Sequence, residues 1–237
     1  IFLNISTYKE KMNKQKKILV FGGSGFIGSH FIDEIYNKNY QIFNADKISY
    51  CSHLSYCKNK KNYFFYKIDL CNYSKTNNLI SNIIPDYIIN FAAETHVDRS
   101  IDNPNSFIKN NLISTSNLLT SVLKNLNKLK KNNKNFKLIH ISTDEVYGSY
   151  KTGYANEHSN FLPNSPYAAS KASSDLLCRS FFKTYNLPLI ICNSSNNYGG
   201  RQYFEKLIPR SIVSMRLGYG VEVYGDGKQL RQWIHVS

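Results

Sequence analysis

Residues 142–148, Ser-Thr-Asp-Glu-Val-Tyr-Gly, end an apolar run with Thr143 and then set two carboxylates, Asp144 and Glu145, side by side. Acids at the end of a buried run cost free energy unless they are solvated or used. Further on, Tyr167 and Lys171 lie four apart in Tyr-Ala-Ala-Ser-Lys, a spacing that shares one helical face. An ammonium there lowers a phenol's pKa by its charge and can hold a cofactor ribose. A phenolate near neutral pH takes a proton from an alcohol while a hydride leaves the same carbon. That spacing is common on helices, so it gains weight only from a cofactor site elsewhere in the chain.

Residues 20–28, Val-Phe-Gly-Gly-Ser-Gly-Phe-Ile-Gly, supply one. Gly22, Gly25 and Gly28, with Gly23 in the alternative register, lack side chains. Backbone N–H groups can then meet a pyrophosphate at a helix N-terminus, where the dipole favours anions. An apolar run before the turn and a helical pattern after it give the required context. Asp46 ends the second apolar run. A carboxylate there accepts hydrogen bonds from ribose hydroxyls and repels a 2′-phosphate, which favours NAD over NADP. Lys47 next to it softens that preference. A structural turn and a strand-end cap are the plainer readings of these same residues.

The elements that must hold these groups alternate. Strand-like runs are KKILVF, YQIFNAD, NYFFYKIDL, DYIINFAAET, NFKLIHIST and LPLIICNSS. Between them the best helical pattern runs from Asn105 to about Asn125, and a second starts near Ser165 with Pro166 at an early position. The alternation predicts an α/β fold: a Rossmann-like, doubly wound parallel sheet with right-handed crossovers. After about Ser194 the pattern changes to short strands and glycine turns without a long helix. The expected domains are a dinucleotide-binding unit over residues 12–193 and the beginning of a smaller substrate-binding unit over 194–237. The chain reads as stopping inside a strand, and residues 1–11 as a dispensable tail.

Of the 237 residues, 42% are hydrophobic and 19% charged, which is a globular composition. The net charge of +14 reads as a Lys- and Asn-rich surface. Its densest stretches, KEKMNKQKK in the N-terminal tail and KNLNKLKKNNKNFK in an expected loop, interleave no aromatics as a nucleic-acid platform would. Five cysteines with neither C-x-x-C nor zinc spacing predict no metal site and reduced thiols in a cytoplasmic protein. No apolar run reaches membrane-spanning length and no secretory signal is evident.

The glycine turn, Asp46, Thr143 and the Tyr167/Lys171 pair resemble the extended short-chain dehydrogenase/reductase family. Finer motifs resemble its dTDP-glucose 4,6-dehydratases over residues 16–237: AAETHVDRSI, STDEVYG, YAASKASSD, SSNNYG, EKLIPR and GDGKQLRQWIHVS. The resemblance implies a use for the acid pair. Oxidising C4 of the glucose to a ketone, with Tyr167 as base, makes the C5 proton acidic. Glu145 removes that proton, Asp144 protonates the departing C6 hydroxyl, and a hydride returns to C6. The product is a 4-keto-6-deoxy sugar nucleotide. Asp144 should then have a raised pKa, through desolvation and the Glu145 charge, while Glu145 stays ionised.

The same resemblance implies cofactor contacts at Phe26, Ile27, Asp46, Lys47, Asp69, Leu70, Ala92, Ala93, Tyr167, Lys171 and Asn197. It implies substrate contacts at Thr95, Thr143, Asn196, Glu205, Lys206, Leu207 and Arg231. Thr143 would hydrogen-bond the sugar's 4-oxygen, and Arg231 would clamp the diphosphate with its guanidinium. A homodimer through the helices around residues 105–125 and 165–185 is implied as well. Several positions depart from the family pattern: Asn193 replaces an arginine, Asn110 replaces a threonine, and GGRQYFEK lacks two prolines, so that turn should be looser. His96 lies beside the cleft as either a substrate contact or a structural residue, and His140 alternates within the fifth strand as packing. Three other readings stay open: a UDP-glucose 4,6-dehydratase, a sugar-nucleotide epimerase with no need of the acid pair, and a non-catalytic NAD-binding module.

Overall fold

A computed structural model describes residues 15–57, 61–150, 152–223 and 225–237. The tail over residues 1–11, and most of the basic stretch that follows it, lie outside the described residues. In chain order the first half comprises β1 (Lys16–Phe21), α1 (Phe26–Tyr36), β2 (Tyr40–Asp46), β3 (Tyr63–Lys67), α2 (Tyr73–Ile83) and β4 (Tyr87–Asn90). Two short helices follow, α3 (Val97–Asp102) and α4 (Pro104–Phe107), then a π-helical turn (Ile108–Ile113) that leads into α5 (Ser114–Asn132). Next come β5 (Lys137–Thr143), a 3₁₀ turn (Asp144–Tyr147), α6 (Pro166–Tyr185) and β6 (Leu189–Ser194).

All six strands pair in parallel, in the order β3-β2-β1-β4-β5-β6. This is the expected Rossmann-like sheet. The connections leave β1 in opposite directions, so the strand ends part between β1 and β4 and open a crevice there. In β1, Ile18 and Val20 face one side of the sheet while Leu19 and Phe21 face the other, and all four are buried. Covering both faces therefore demands an unbroken apolar run. One face packs under α2, α5 and α6 through Leu79, Ile80, Leu119, Val122 and Cys178; the other receives Ile32 and Ile35 of α1.

The helix expected from Asn105 is not continuous. A π turn interrupts it, and Asn111 inside that turn is buried. The amide Nδ2 of Asn111 donates to the Glu94 carbonyl (3.0 Å) and to Ser170 Oγ (2.9 Å), and its Oδ1 accepts from Glu94 N (2.8 Å). The carbonyl of Asn111 accepts from Ser174 Oγ at 3.1 Å as well as from Ser114 Oγ at 3.3 Å. One inserted residue thus pins the loop after β4 to α6.

The basic stretch expected as a loop is largely helix, because Leu129 carries the apolar face of α5 into the core and is fully buried. Lys130 and Lys131 occupy its last turn, where cations suit the dipole. Asn132 and Asn133 are ordered too: their side-chain amides donate to Ile84 O and Asp86 O, which ties the end of α5 to the α2–β4 connection. Beyond β6 lie β7 (Asn196–Tyr198), α7 (Leu207–Arg216) and β8 (Trp233–His235), with β7 and β8 paired in parallel. Helix α7 was not anticipated; none of its residues is buried, so it leaves little apolar signature.

Two predictions follow from the packing of the strand ends. Gly22 has φ +76°, and a Cβ there would stand 2.6 Å from Ala92 N. Gly22→Ala should therefore cost about 1–3 kcal/mol of stability in denaturant unfolding, through strain at a left-handed position plus displacement of the β4 end. His140 is 1% exposed and its Nδ1 faces Asn90 Nδ2 at 3.2 Å. Burial, aided by the Lys171 charge, holds its pKa well below the ordinary imidazole value. The unfolded chain then binds the extra proton, so this contribution to stability is present above about pH 6.5 and fades as the pH falls below it. Unfolding of His140→Gln should lose stability less steeply than the parent between about pH 6.5 and 5; parallel curves would contradict that assignment. The comparison isolates His140 from buried carboxylates with raised pKa values, which act with the opposite sign.

Candidate active site

The crevice at the C-terminal ends of β1 to β4 is floored by Gly22, Gly25, Ala92 and Ala93 and walled by Asp46, Lys47, Asp69 and Leu70. Those expected cofactor positions come together. Phe26 and Ile27 sit half-buried in the first turn of α1, and Gly28 packs so closely on the Gly22 carbonyl that no Cβ fits. Gly25 caps α1 with no side-chain hydrogen bond to the first N–H groups. A crowded glycine turn, an eleven-residue helix without a side-chain cap and a carboxylate at the end of β2 fit a dinucleotide's pyrophosphate and ribose.

Asp46 is 6% exposed and does more than face the cleft. Its Oδ2 accepts from Ser24 N (3.0 Å) and its Oδ1 from Ile48 N (2.8 Å), so it staples the glycine turn to the loop after β2. Burial raises its pKa, and the two backbone N–H groups oppose that rise. Lys47 is committed elsewhere: Nζ lies 2.7 Å from Glu94 Oε1 and 3.0 Å from Asn110 Oδ1. Its charge is therefore paired within the cleft. Ser49, Cys51, Ser52, Asn110 and Ser114 also line the crevice. Of these only Asn110 gave a signal, as a polar residue at a cofactor-side position; the others belong to a loop and a helix start with no pattern of their own.

The second cluster caps β5. Thr143 is buried, and its Oγ1 lies 3.3 Å from Asp144 Oδ1 and 3.3 Å from Glu145 N, which makes it the N-cap of the acid turn. Tyr167, 7% exposed on α6, shares a side-chain hydrogen bond with Thr143. Asp144 and Glu145 are half-buried, not turned out into solvent. Burial raises the pKa of both acids; the Asp144 charge raises Glu145 further, while Arg231 pulls both down and Lys206 adds to that on Glu145. The expected contrast, a raised Asp144 beside an ordinary Glu145, is thus not what burial alone produces. Glu145 is raised as well, and the like-charge effect expected on Asp144 falls on Glu145; Arg231 and Lys206 offset only part of that rise.

Lys171 also differs from expectation. Its Nζ donates to the Ile141 carbonyl at 2.8 Å, back toward β5, and Tyr167 is pushed above the usual phenol value, first by burial and then by the Glu145 charge. Burial lowers Lys171 itself, with Asp175 opposing. Tyr167 and Lys171 share the face their spacing predicts, but the lysine's charge is not the dominant influence on the phenol here.

The expected substrate residues gather above this cluster. Lys206 Nζ donates to the Thr95 carbonyl at 2.8 Å. Glu205 accepts from Tyr50 OH at 2.7 Å and lies about 4 Å from Arg99 and His96, so its carboxylate already joins three loops. His96 caps α3 through Nδ1, which favours its structural reading. Asn196 lies on β7 and donates to Gln232 O at 3.1 Å, while Asn197 folds back on Ser195 O at 2.9 Å. Leu207 opens α7 with its side chain mostly exposed. Arg231 is exposed, yet its charge reaches both acids. The turn expected to be loose is held: Arg201 pairs with Asp33 and lies 5.0 Å over the Tyr56 ring, and His30 Nε2 meets Gly200 O at 2.8 Å. Asn193, in the place of the family arginine, bridges Thr143 O (3.2 Å) and Asp175 Oδ2 (2.9 Å).

A sequence profile of the family described as GDP-mannose 4,6 dehydratase matches residues 19–237. A dTDP-glucose 4,6-dehydratase of Xanthomonas campestris pv. campestris (strain B100) is 42% identical over 224 residues, 92% of this chain and 64% of that protein. One of Haemophilus influenzae is 44% identical, covering 93% of this chain and 67% of its own. The crystal structure of a dTDP-glucose 4,6-dehydratase from Streptomyces venezuelae with NAD bound has a TM-score of 0.84 at 35% identity and covers 93% of this chain and 68% of that one. The chain thus spans 64% of the length of the first of these relatives. With a Rossmann-like sheet, a glycine cradle and an acid pair beside a tyrosine, it belongs to the GDP-mannose 4,6 dehydratase family and is similar, over nearly its whole length, to the dTDP-glucose 4,6-dehydratases.

Proposed function

We propose that the chain carries the NAD-binding part and the acid–tyrosine centre of a dTDP-glucose 4,6-dehydratase, a hydro-lyase. One observation carries the reading: Asp144 and Glu145 sit half-buried at the end of β5, within electrostatic reach of Tyr167, Lys206 and Arg231. An epimerase needs the tyrosine but has no use for two desolvated acids beside it. Bound NAD supplies a hydride acceptor for C4 and a hydride donor for C6.

The chain's own residues do the rest. Tyr167, hydrogen-bonded to Thr143, takes the proton of the C4 hydroxyl as the ketone forms. Glu145 removes the C5 proton and returns it to C5 when the hydride reaches C6; its raised pKa strengthens it as a base, and Arg231 and Lys206 favour its ionised form. Asp144, biased by burial toward its protonated form, gives that proton to the departing C6 hydroxyl. Arg231, Lys206 and Glu205 belong to the substrate's diphosphate and sugar side. In this reading residues 12–193 form the cofactor unit and residues 194–237 contribute to the substrate unit. Exposed Ile108, Ile113 and Leu176 on the π turn and α6 support a homodimer through those helices. Free thiols at Cys51, Cys71, Cys178 and Cys192 suit the cytoplasm.

Incubation of the full chain with NAD and dTDP-glucose should yield a keto sugar visible by its alkaline absorbance, and UDP-glucose should give less. NAD binding without product would overturn this reading in favour of a binding module. Tyr167→Phe should slow oxidation at C4 by about 10²–10⁴-fold. Asp144→Asn should slow elimination by a similar factor of about 10²–10⁴ while transient absorbance at the nicotinamide band still appears. Equal loss of both half-reactions in Asp144→Asn would contradict the role given to this acid.

A further inference from the structure

Asp175 is a buried carboxylate for which the reaction above has no use. It lies on α6 one turn beyond Lys171, which lies one turn beyond Tyr167, so the three share a helix face. The residue is 1% exposed. Its Oδ2 accepts from Ser142 Oγ (2.7 Å) and Asn193 Nδ2 (2.9 Å). Its Oδ1 has no hydrogen bond, and His140 Nε2, equally unpartnered, stands 3.7 Å away.

Such a carboxylate needs a countercharge, and the groups around it are few. Strand β5 contributes His140 and Ser142, β6 contributes Asn193, the acid turn contributes Tyr147, and α6 itself contributes Tyr167, Lys171 and Cys178. His140 is not the cation. Asn90 Oδ1 accepts from Ala92 N at 3.1 Å, so its amide nitrogen faces His140 Nδ1, which must accept. The single proton of a neutral ring then sits on Nε2 and points at Asp175. Lys171, 3% exposed with its Nζ on the Ile141 carbonyl, is the remaining group able to carry positive charge among these neighbours. The two lie one helical turn apart on α6 without a direct ion pair, and each favours the other's ionised form against the burial that dominates at both. The hydrogen bonds of Asp175 also converge on the catalytic end of β5: Ser142 precedes Thr143, and the same Asn193 amide that reaches Asp175 donates to the Thr143 carbonyl at 3.2 Å.

We propose that Asp175 is a positioning residue for the Tyr167–Lys171 pair: its carboxylate is the buried countercharge that favours the ammonium form of Lys171, and its two hydrogen bonds lock the β5 end that carries Thr143 against α6. The charge pairing stands independently of the dehydratase reading; only its consequence for C4 oxidation rests on that reading.

Asp175→Asn keeps the shape and can still accept from Ser142 and Asn193, but it removes the charge. Its thermal midpoint should fall below the parent's at about pH 7, and the gap should narrow toward about pH 9.5 as Lys171 sheds its proton. Adding Lys171→Met should restore most of the loss. A gap independent of pH, with additive effects of the two substitutions, would make Asp175 merely structural and overturn the proposal. Should Asp175→Asn fail to fold, Lys171→Met alone decides. It strands the carboxylate, so its midpoint must approach the parent's as the pH falls from about 8 to 5, and a constant difference overturns the proposal. In turnover, Asp175→Asn should move the alkaline limb of C4 oxidation down by about one pH unit with little change in KM. A parent chain that makes no keto sugar would remove the dehydratase reading while the unfolding curves still decide the role of Asp175.

Discussion

The backbone of Gly22 passes so close to Ala92 that the turn after β1 and the segment after β4 act as one surface. That approach requires a residue without a Cβ at a left-handed φ, and it falls where the strand order reverses and the chain ends part. Everything in the cofactor cleft is built around it. The turn is braced from β2 by two buried polar side chains: Asn44 Oδ1 accepts from Gly23 N at 3.0 Å, and Asp46 Oδ2 accepts from Ser24 N at 3.0 Å. Asn44 completes its bonding by donating to Ser24 Oγ and Tyr63 OH. A strand otherwise made of core residues thus buries an amide and an acid to fix where the turn's remaining N–H groups point. That is a cost in polar burial, offset because both side chains are hydrogen-bonded.

Burial of acids recurs along the sheet, and its electrostatics link the cleft to the chemistry. Asp46, Asp144, Glu145 and Asp175 all have pKa values raised mainly by desolvation. Burial moves each of them toward its protonated form and makes its ionised form a stronger base than the same group in water. What separates them is their company. Burial is opposed at Asp46 by backbone N–H groups, at Asp175 by Ser142 and Lys171, at Glu145 by Arg231 and Lys206, and at Asp144 by Thr143, backbone N–H groups and Arg231. Within the acid turn it is Glu145 that carries a neighbouring like charge, that of Asp144, on top of burial.

The strands, the glycine turn and the two chemical clusters were legible because each depends on short-range pattern: alternation, the absence of side chains, or a fixed helical spacing. What was not legible depends on partners far apart in sequence. The π turn exists because Asn111 is answered by Glu94 and Ser170, and no local periodicity announces that. The end of α5 was lost among lysines and asparagines, yet Leu129 is buried and Asn132 and Asn133 find carbonyls beyond α2. The direction of Lys171 was misjudged for the same reason: spacing set its face, and a carbonyl on β5 set where the ammonium goes. Asn193 looked like a loss relative to the family and proved to be a bridge.

The segment after β6 shows how little apolar packing is needed to bring charge to a reaction centre. No residue of α7 is fully buried, and the chain from Gly199 to Lys206 is held by polar contacts to α1, to the loop after β2, to the segment before α3 and to α3 itself. Arg231 lies just before β8, and β8 pairs with β7 in the register Asn196 to Trp233 and Tyr198 to His235. Because β7 continues almost directly from β6, which pairs with β5 up to Thr143, the register of the small sheet is tied to that of the large one. The guanidinium that tunes Asp144 and Glu145 is therefore placed by backbone pairing relayed across two sheets, and its own exposed side chain needs no fixed partner to act on them.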